Sequence, residues 1–93
     1  MATSKIKADR ILIREEKTAP TTWEAGKTSK CDIDIAKDGY TVLGIVGVST
    51  NHGSVLLQQF TILSGPLARI YARNTAGSDI EGTGKVQILY AKN

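Results

Sequence analysis

The sequence predicts an all-β protein, an antiparallel β-sandwich with a jelly-roll-like arrangement. Apolar or alternating segments recur along the 93 residues, and turn signals such as Asp38-Gly39 and 51–53 (Asn-His-Gly) separate them. No segment keeps the apolar period of an amphipathic helix. Short strands separated by turns at this spacing are typical of sandwiches and jelly rolls.

The first strand is short in this prediction, because Pro20 lacks the amide proton that a sheet needs and residues 18–22 therefore predict a loop. The clearest alternation places Cys31, Ile33 and Ile35 on one face. The turn at residues 51–53 predicts that the strands before and after it form a hairpin. Residues 75–84 predict a flexible loop. Strands are thus predicted at residues 10–15, 28–35, 39–49, 54–63, 67–74 and 85–92.

Residues 39–49 (GYTVLGIVGVS) are apolar on both faces if the side chains alternate. One face would carry Tyr40, Val42, Gly44, Val46 and Val48, and the other Thr41, Leu43, Ile45, Gly47 and Ser49. A sandwich buries only one face of each sheet, and monomers rarely expose large apolar patches. We therefore expect self-association through Leu43, Ile45, Gly47 and Tyr71, although cover by loops of the same chain is the alternative.

Composition limits the other classes of function. The chain is long enough for one domain, which we place at residues 9–93 after a leader or tether at residues 1–8. One cysteine excludes an internal disulfide, and one histidine gives no basis for a metal site. The net charge of +3 includes two lysines of the leader, so the domain is nearly neutral and nucleic-acid binding is not expected. No segment predicts a signal peptide or membrane insertion.

Few residues have the chemistry of a site. Cys31 predicts a buried structural thiol. His52, in a turn, is a candidate ligand contact, with a plain surface histidine as the alternative. Trp23 is a candidate for stacking on a sugar ring, with a core or interface anchor as the alternative. No nucleophile, base and orienting group can be assembled around one histidine, so we predict no enzyme and no cofactor.

The stretch from residue 27 to residue 92 resembles a distal domain of tail-associated minor structural proteins from phages and prophages of Gram-positive bacteria. The matching pieces are Gly39-Tyr40, residues 43–47 (LGIVG), residues 73–75 (RNT) and the closing strand at residues 86–92, which ends in LYAK. The resemblance implies an all-β domain of a tail fibre, baseplate or receptor-binding protein. Such domains are commonly homotrimers, and some touch host surface polysaccharide.

The resemblance therefore predicts a virion structural protein made in a bacterial cytoplasm. Its expected partners are copies of itself, other virion proteins and cell-surface polysaccharide. The chain is short for that pattern. A capsid decoration or head-fibre protein is one alternative, and a carbohydrate-binding module of a cellular protein is another.

Overall fold

The computed structural model describes residues 11–93 and contains six β-strands. The predicted leader at residues 1–8 lies outside the described residues. The prediction of an all-β chain is confirmed, and within the described range there is no helix. The strands are β1 (Leu12–Trp23), β2 (Thr28–Asp34), β3 (Tyr40–Ser49), β4 (Val55–Leu63), β5 (Leu67–Asn74) and β6 (Ile80–Lys92).

The strands form two three-stranded sheets in a sandwich-like arrangement. One sheet has the order β1-β6-β3 and the other the order β2-β5-β4, and every pairing is antiparallel. The central strands β6 and β5 supply much of the core, because their alternate residues face the opposite sheet. The buried apolar residues are Trp23, Cys31, Ile33, Ile35, Val55, Ala68, Ile70, Ala72, Val86, Ile88, Tyr90 and Ala91.

Two buried groups tie the sheets and loops together. The Tyr90 hydroxyl donates a 2.6 Å hydrogen bond to the Ile35 carbonyl, and burial raises the pKa of Tyr90. The Asn74 amide donates to the carbonyls of Trp23 (2.8 Å) and Ser78 (2.9 Å). These bonds organise the connection between β5 and β6, which the sequence predicts as a flexible loop.

Strand β1 is longer than predicted, and the predicted loop at residues 18–22 belongs to it. Proline is compatible with this strand because β1 lies at the edge of its sheet, where one side of the backbone needs no partner. Strand β6 is likewise longer, since it begins at Ile80 and pairs with β1 from Ile80 to Ala91. A long partner thus extends a strand beyond the limits that local sequence suggests.

The prediction of a hairpin between residues 40–49 and 54–63 is wrong. Strand β3 pairs with β6 and β4 pairs with β5, so the two strands belong to opposite sheets. The connection between them is nevertheless tight, because the Thr50 hydroxyl donates a 2.7 Å hydrogen bond to the Val55 carbonyl. Turn residues identify where the chain reverses but not whether it stays in one sheet.

Candidate assembly surface

The two sheets are closed along one side and open along the other. On the closed side, β1 packs against β2: the Cys31 thiol donates to the Ala19 carbonyl (3.6 Å) and the Thr21 hydroxyl to the Lys30 carbonyl (3.4 Å). On the other side, β3 and β4 barely touch. The core is therefore uncovered along the β3–β4 side.

Strand β4 directs apolar side chains toward the core that nothing in the described chain covers. Leu57, Phe60 and Ile62 lie opposite the buried residues Ala72, Ile70 and Ala68 of β5, so they share the core-facing side of the sheet. Their exposed fractions are nonetheless 42%, 45% and 42%. These side chains have the orientation of core residues and the exposure of surface residues.

Two bulges decide which side chains β3 exposes. The register with β6 shifts between Val42 and Gly44 and again between Ile45 and Gly47, so Leu43 and Val46 are the extra residues. Val42, Ile45 and Val48 pack against the core, whereas Leu43 and Val46 remain 49% and 45% exposed. The simple alternation predicted for this strand is therefore wrong. We call the uncovered set Leu43, Val46, Leu57, Phe60 and Ile62 the open edge.

A groove of about 450 Å³ lies at one end of the open edge. Tyr40, Val42, Ile62 and Pro66 line its apolar wall, and Lys37 stands at its rim. The Lys37 ammonium lies 5.0 Å from the centre of the Tyr40 ring and forms a 2.9 Å ion pair with Glu15. The hydrogen bond to that carboxylate raises the pKa of Lys37. Asp38 and Thr41 also line the groove, so it combines an apolar wall with charged and polar groups.

The open edge carries no charge. No Asp, Glu, Lys or Arg lies between Asp38 and Arg69 in the sequence, and this uncharged stretch includes all of β3 and β4. Edge strands of soluble proteins are usually protected by charged side chains, prolines or bulges. Both strands contain bulges, but neither carries a charged side chain or a proline. This chemistry suits a surface that another protein surface covers.

The four predicted interface residues do not lie on one surface. Leu43 belongs to the open edge, and Ile45 packs against the core on the inner side of the same strand. Gly47 lies beside Gln87, whose Oε1 would be 3.3 Å from an added Cβ. Tyr71 lies in the other sheet, opposite Lys30. An interface through these residues stays a prediction, and Leu43 is the one that the geometry places with other uncovered apolar side chains.

The residues of the open edge that sequence reasoning missed are Val46, Leu57, Phe60 and Ile62. Their alternation does not reveal them, because bulges interrupt the pattern in both strands. One signal was available: the long stretch without charged residues. Edge strands of soluble proteins are usually protected by charged side chains, so a stretch without any is a signal that can be seen in the sequence.

The two candidate ligand residues have different environments. Trp23 is fully buried and is the largest of the core side chains. Its ring offers no face to a sugar, so the structure corrects that interpretation and supports Trp23 as a core anchor. His52 is exposed in the turn between β3 and β4, where its Nδ1 accepts a 3.1 Å hydrogen bond from the Ser54 amide. A ligand contact by His52 stays a prediction.

A second groove, about 550 Å³ in volume, lies near the far end of β1. Its polar lining is largely engaged within the chain: the Asp79 carboxylate accepts from the Ala25 amide (2.8 Å), and the Ser29 hydroxyl from the Glu24 amide (3.4 Å). Groups already satisfied in this way organise the loop. This groove therefore gives weaker support for a binding site than the open edge does.

The outer face of the second sheet carries a cross-strand ion pair. Arg69 Nε and Nη2 lie 2.7 Å and 3.0 Å from the two carboxylate oxygens of Asp32, which is its direct partner in the register. This hydrogen bonding lowers the pKa of Asp32. The pair fixes a polar surface on the side of the sheet away from the core.

The described residues contain few other groups that could form a catalytic or metal site. Cys31 is buried, and burial raises the pKa of its thiol, which is the behaviour of a structural cysteine. Among residues 11–93, no group of three or more His, Cys, Asp or Glu side chains could hold a metal ion. The same part of the chain forms no helix long and apolar enough to cross a membrane.

Comparisons of the chain with protein-family models, with curated proteins and with solved structures returned no match. The resemblance to phage tail-associated domains therefore stays a prediction from the residues quoted for it.

Proposed function

We propose that the chain is a non-enzymatic structural domain of a phage or prophage particle that works as a homo-oligomer. The observation that carries the self-association is the open edge: an uncharged apolar surface that the described chain leaves uncovered. Burying such side chains is the main favourable term in protein association. The resemblance to phage tail-associated domains supports the assignment to a phage or prophage particle, and it favours a trimer.

The strand order supports a jelly roll that lacks one pair of strands. A complete jelly roll has about eight strands in two sheets, arranged as two Greek keys. In this chain β1 pairs with β6 and β2 with β5, the nested pairing expected of such a roll, while β3 and β4 end their sheets. A further strand in each sheet would lie beside β3 and β4. We propose that neighbouring copies cover that position.

What a catalytic site would need supports the non-enzymatic part of this proposal. The only histidine of the chain is exposed in a turn, and the only cysteine is buried in the core. Nucleophilic catalysis needs a nucleophile within hydrogen-bond reach of a base. The described surface combines an apolar edge with a polar outer sheet, which suits binding to another surface.

Within this proposal, the domain is a tail-fibre, baseplate or receptor-binding component located in the virion. Its partners are its own copies and other virion proteins, and its contact with host-surface polysaccharide would use exposed loops such as that of His52. A capsid decoration protein would have the same apolar edge but would bind the head of the particle. The two differ in location and not in the surface described above.

Light scattering coupled to size-exclusion chromatography tests the self-association. We expect a homo-oligomer, with the mass of a trimer, at micromolar concentration. A monomer across that range would contradict the proposal, because the open edge would then be stable in water.

Sedimentation of particles from the bacterium that encodes the chain tests the location. We expect the chain to sediment with tails, detected by an antibody against it. Its presence on tail-free heads would select the capsid alternative, and its absence from all particles would contradict a virion role. A glycan array tests the sugar contact separately, and no signal on cell-wall saccharides would leave a purely structural role.

A further inference from the structure

We infer that copies of this chain join through unlike strands of the open edge: Leu43 and Val46 of one copy pack among Leu57, Phe60 and Ile62 of the next. The copies are arranged around an axis parallel to the strands. This inference rests on the proposed self-association and specifies which residues make the contact.

The first step concerns the positions of β3 and β4 along their common direction, which we call their levels. At one end of the open edge, Val42 of β3 and Ile62 of β4 line the same groove. At the other end, Thr50 bonds to the Val55 carbonyl, which joins the end of β3 to the start of β4. Because both ends match, the strands run in opposite directions at the same level, and their midpoints are level as well.

The second step concerns shape. The bulges of β3 leave Leu43 and Val46 outside the packed row formed by Val42, Ile45 and Val48 of the same strand. These two side chains are therefore projections. Strand β4 instead presents a recessed wall, because its uncovered side chains face the core. That wall consists of Leu57, Phe60 and Ile62.

The third step concerns symmetry. Rotation about an axis parallel to the strands keeps every residue at its level, so the β3 of one copy meets the β4 of the next at matching positions. Repetition of this contact closes into a ring, as a heterologous interface does when its rotation closes. A two-fold axis perpendicular to the strands would instead set like strands side by side. Only the parallel arrangement brings the projections of β3 to the wall of β4 in every copy.

The occupant of the open edge is a second copy and not the start of the same chain. Residues 1–10 carry Lys5, Lys7, Asp9 and Arg10. Placing such a charged segment along the uncharged side chains of the open edge would remove water from several charges without supplying partners there, which is costly. A second copy supplies uncharged apolar side chains at the required level.

Cysteine cross-linking between differently labelled copies tests the contact. One chain carries Leu43→Cys and the other Phe60→Cys, and the two are refolded together and oxidised. Cys31 is left in place because it is buried. We expect a covalent heterodimer in the mixture and no covalent homodimer when either chain is oxidised alone. A matched control replaces Leu43→Cys by Thr22→Cys, on the exposed surface of β1, and should give no heterodimer.

The outcomes separate this inference from the self-association itself. Disulfides that form only between two Phe60→Cys chains would overturn the contact of unlike strands while leaving the oligomer intact. The same holds if wild-type chains associate but a chain lacking residues 1–10 is monomeric, because the covering segment would then be the start of the chain. Wild-type chains that are monomeric by light scattering would refute the proposed function as well.

Discussion

Replacing Phe60 by aspartate should dissociate the oligomer without unfolding the subunit. Phe60 is 45% exposed in the single chain, so assembly can bury about half of a side chain whose full burial contributes about 1.5–3 kcal/mol. The apolar contact alone is then about 1 kcal/mol per copy, or about 3 kcal/mol in a trimer. Since about 1.4 kcal/mol is a tenfold change in affinity, this loss weakens assembly roughly a hundredfold. An unpaired carboxylate at each contact adds several kcal/mol of desolvation.

Thr61→Asp is the matched control, because it places the same charge on the same strand but on the opposite face, beside Arg69. Light scattering at a series of concentrations should give monomers for Phe60→Asp and wild-type assemblies for Thr61→Asp. Thermal unfolding of the monomeric variant should remain cooperative, since Phe60 is already half in water. Equal behaviour of the two variants, whether both assemble or both dissociate, would refute the assignment of the core-facing side of β4 to the interface.

Three further predictions concern the folded subunit. Gly84→Ala should lower the free energy of unfolding by about 1–3 kcal/mol, because the added Cβ would lie 2.6 Å from the Cys31 Sγ; urea denaturation measures this, and Gly53→Ala, with open space around it, should have little effect. Tyr90→Phe should cost about 1–3 kcal/mol, since the carbonyl that its hydroxyl bonds is left unpaired. Burial raises the pKa of Tyr90, so the unfolded state ionises first and stability should fall above about pH 10 in the wild type but less in the variant. Asp32→Asn should reduce the loss of stability on acidification, because the lowered pKa of Asp32 stabilises the fold above its unfolded pKa and that contribution is lost as the pH falls. The partners are partly exposed, so the effect should be below about 1 kcal/mol.

The sequence predicts the fold class and the core-facing residues of the regular strands. Cys31 and Ile33 alternate with aspartates, and the structure buries them as the alternation predicts. The alternation of β5 is equally regular. The local pattern predicts the buried residues of β2 and β5 because the pairing between these two strands contains no bulge, so their side chains alternate regularly.

The sequence-based predictions are wrong where residues far along the chain determine the strand pairing. Pro20 fits a strand only because β1 is an edge strand, and its position in the sheet depends on pairing with β6. The bulges at Leu43 and Val46 arise in the same way, from the register with a strand far along the chain. The open edge was therefore predicted in kind, as surplus apolar surface on the third strand, but its location between two strands required the three-dimensional arrangement.

The close packing of the single thiol has a practical consequence. Cys31 sits between the sheets, 2% exposed, where the backbone of Gly84 leaves just enough room for its sulfur. A thiol-reactive dye can label Cys31 only while the two sheets are transiently separated, so the labelling rate reports how often the subunit opens. No engineered probe is needed, and the same rate recorded at rising protein concentration would reveal whether association slows that opening.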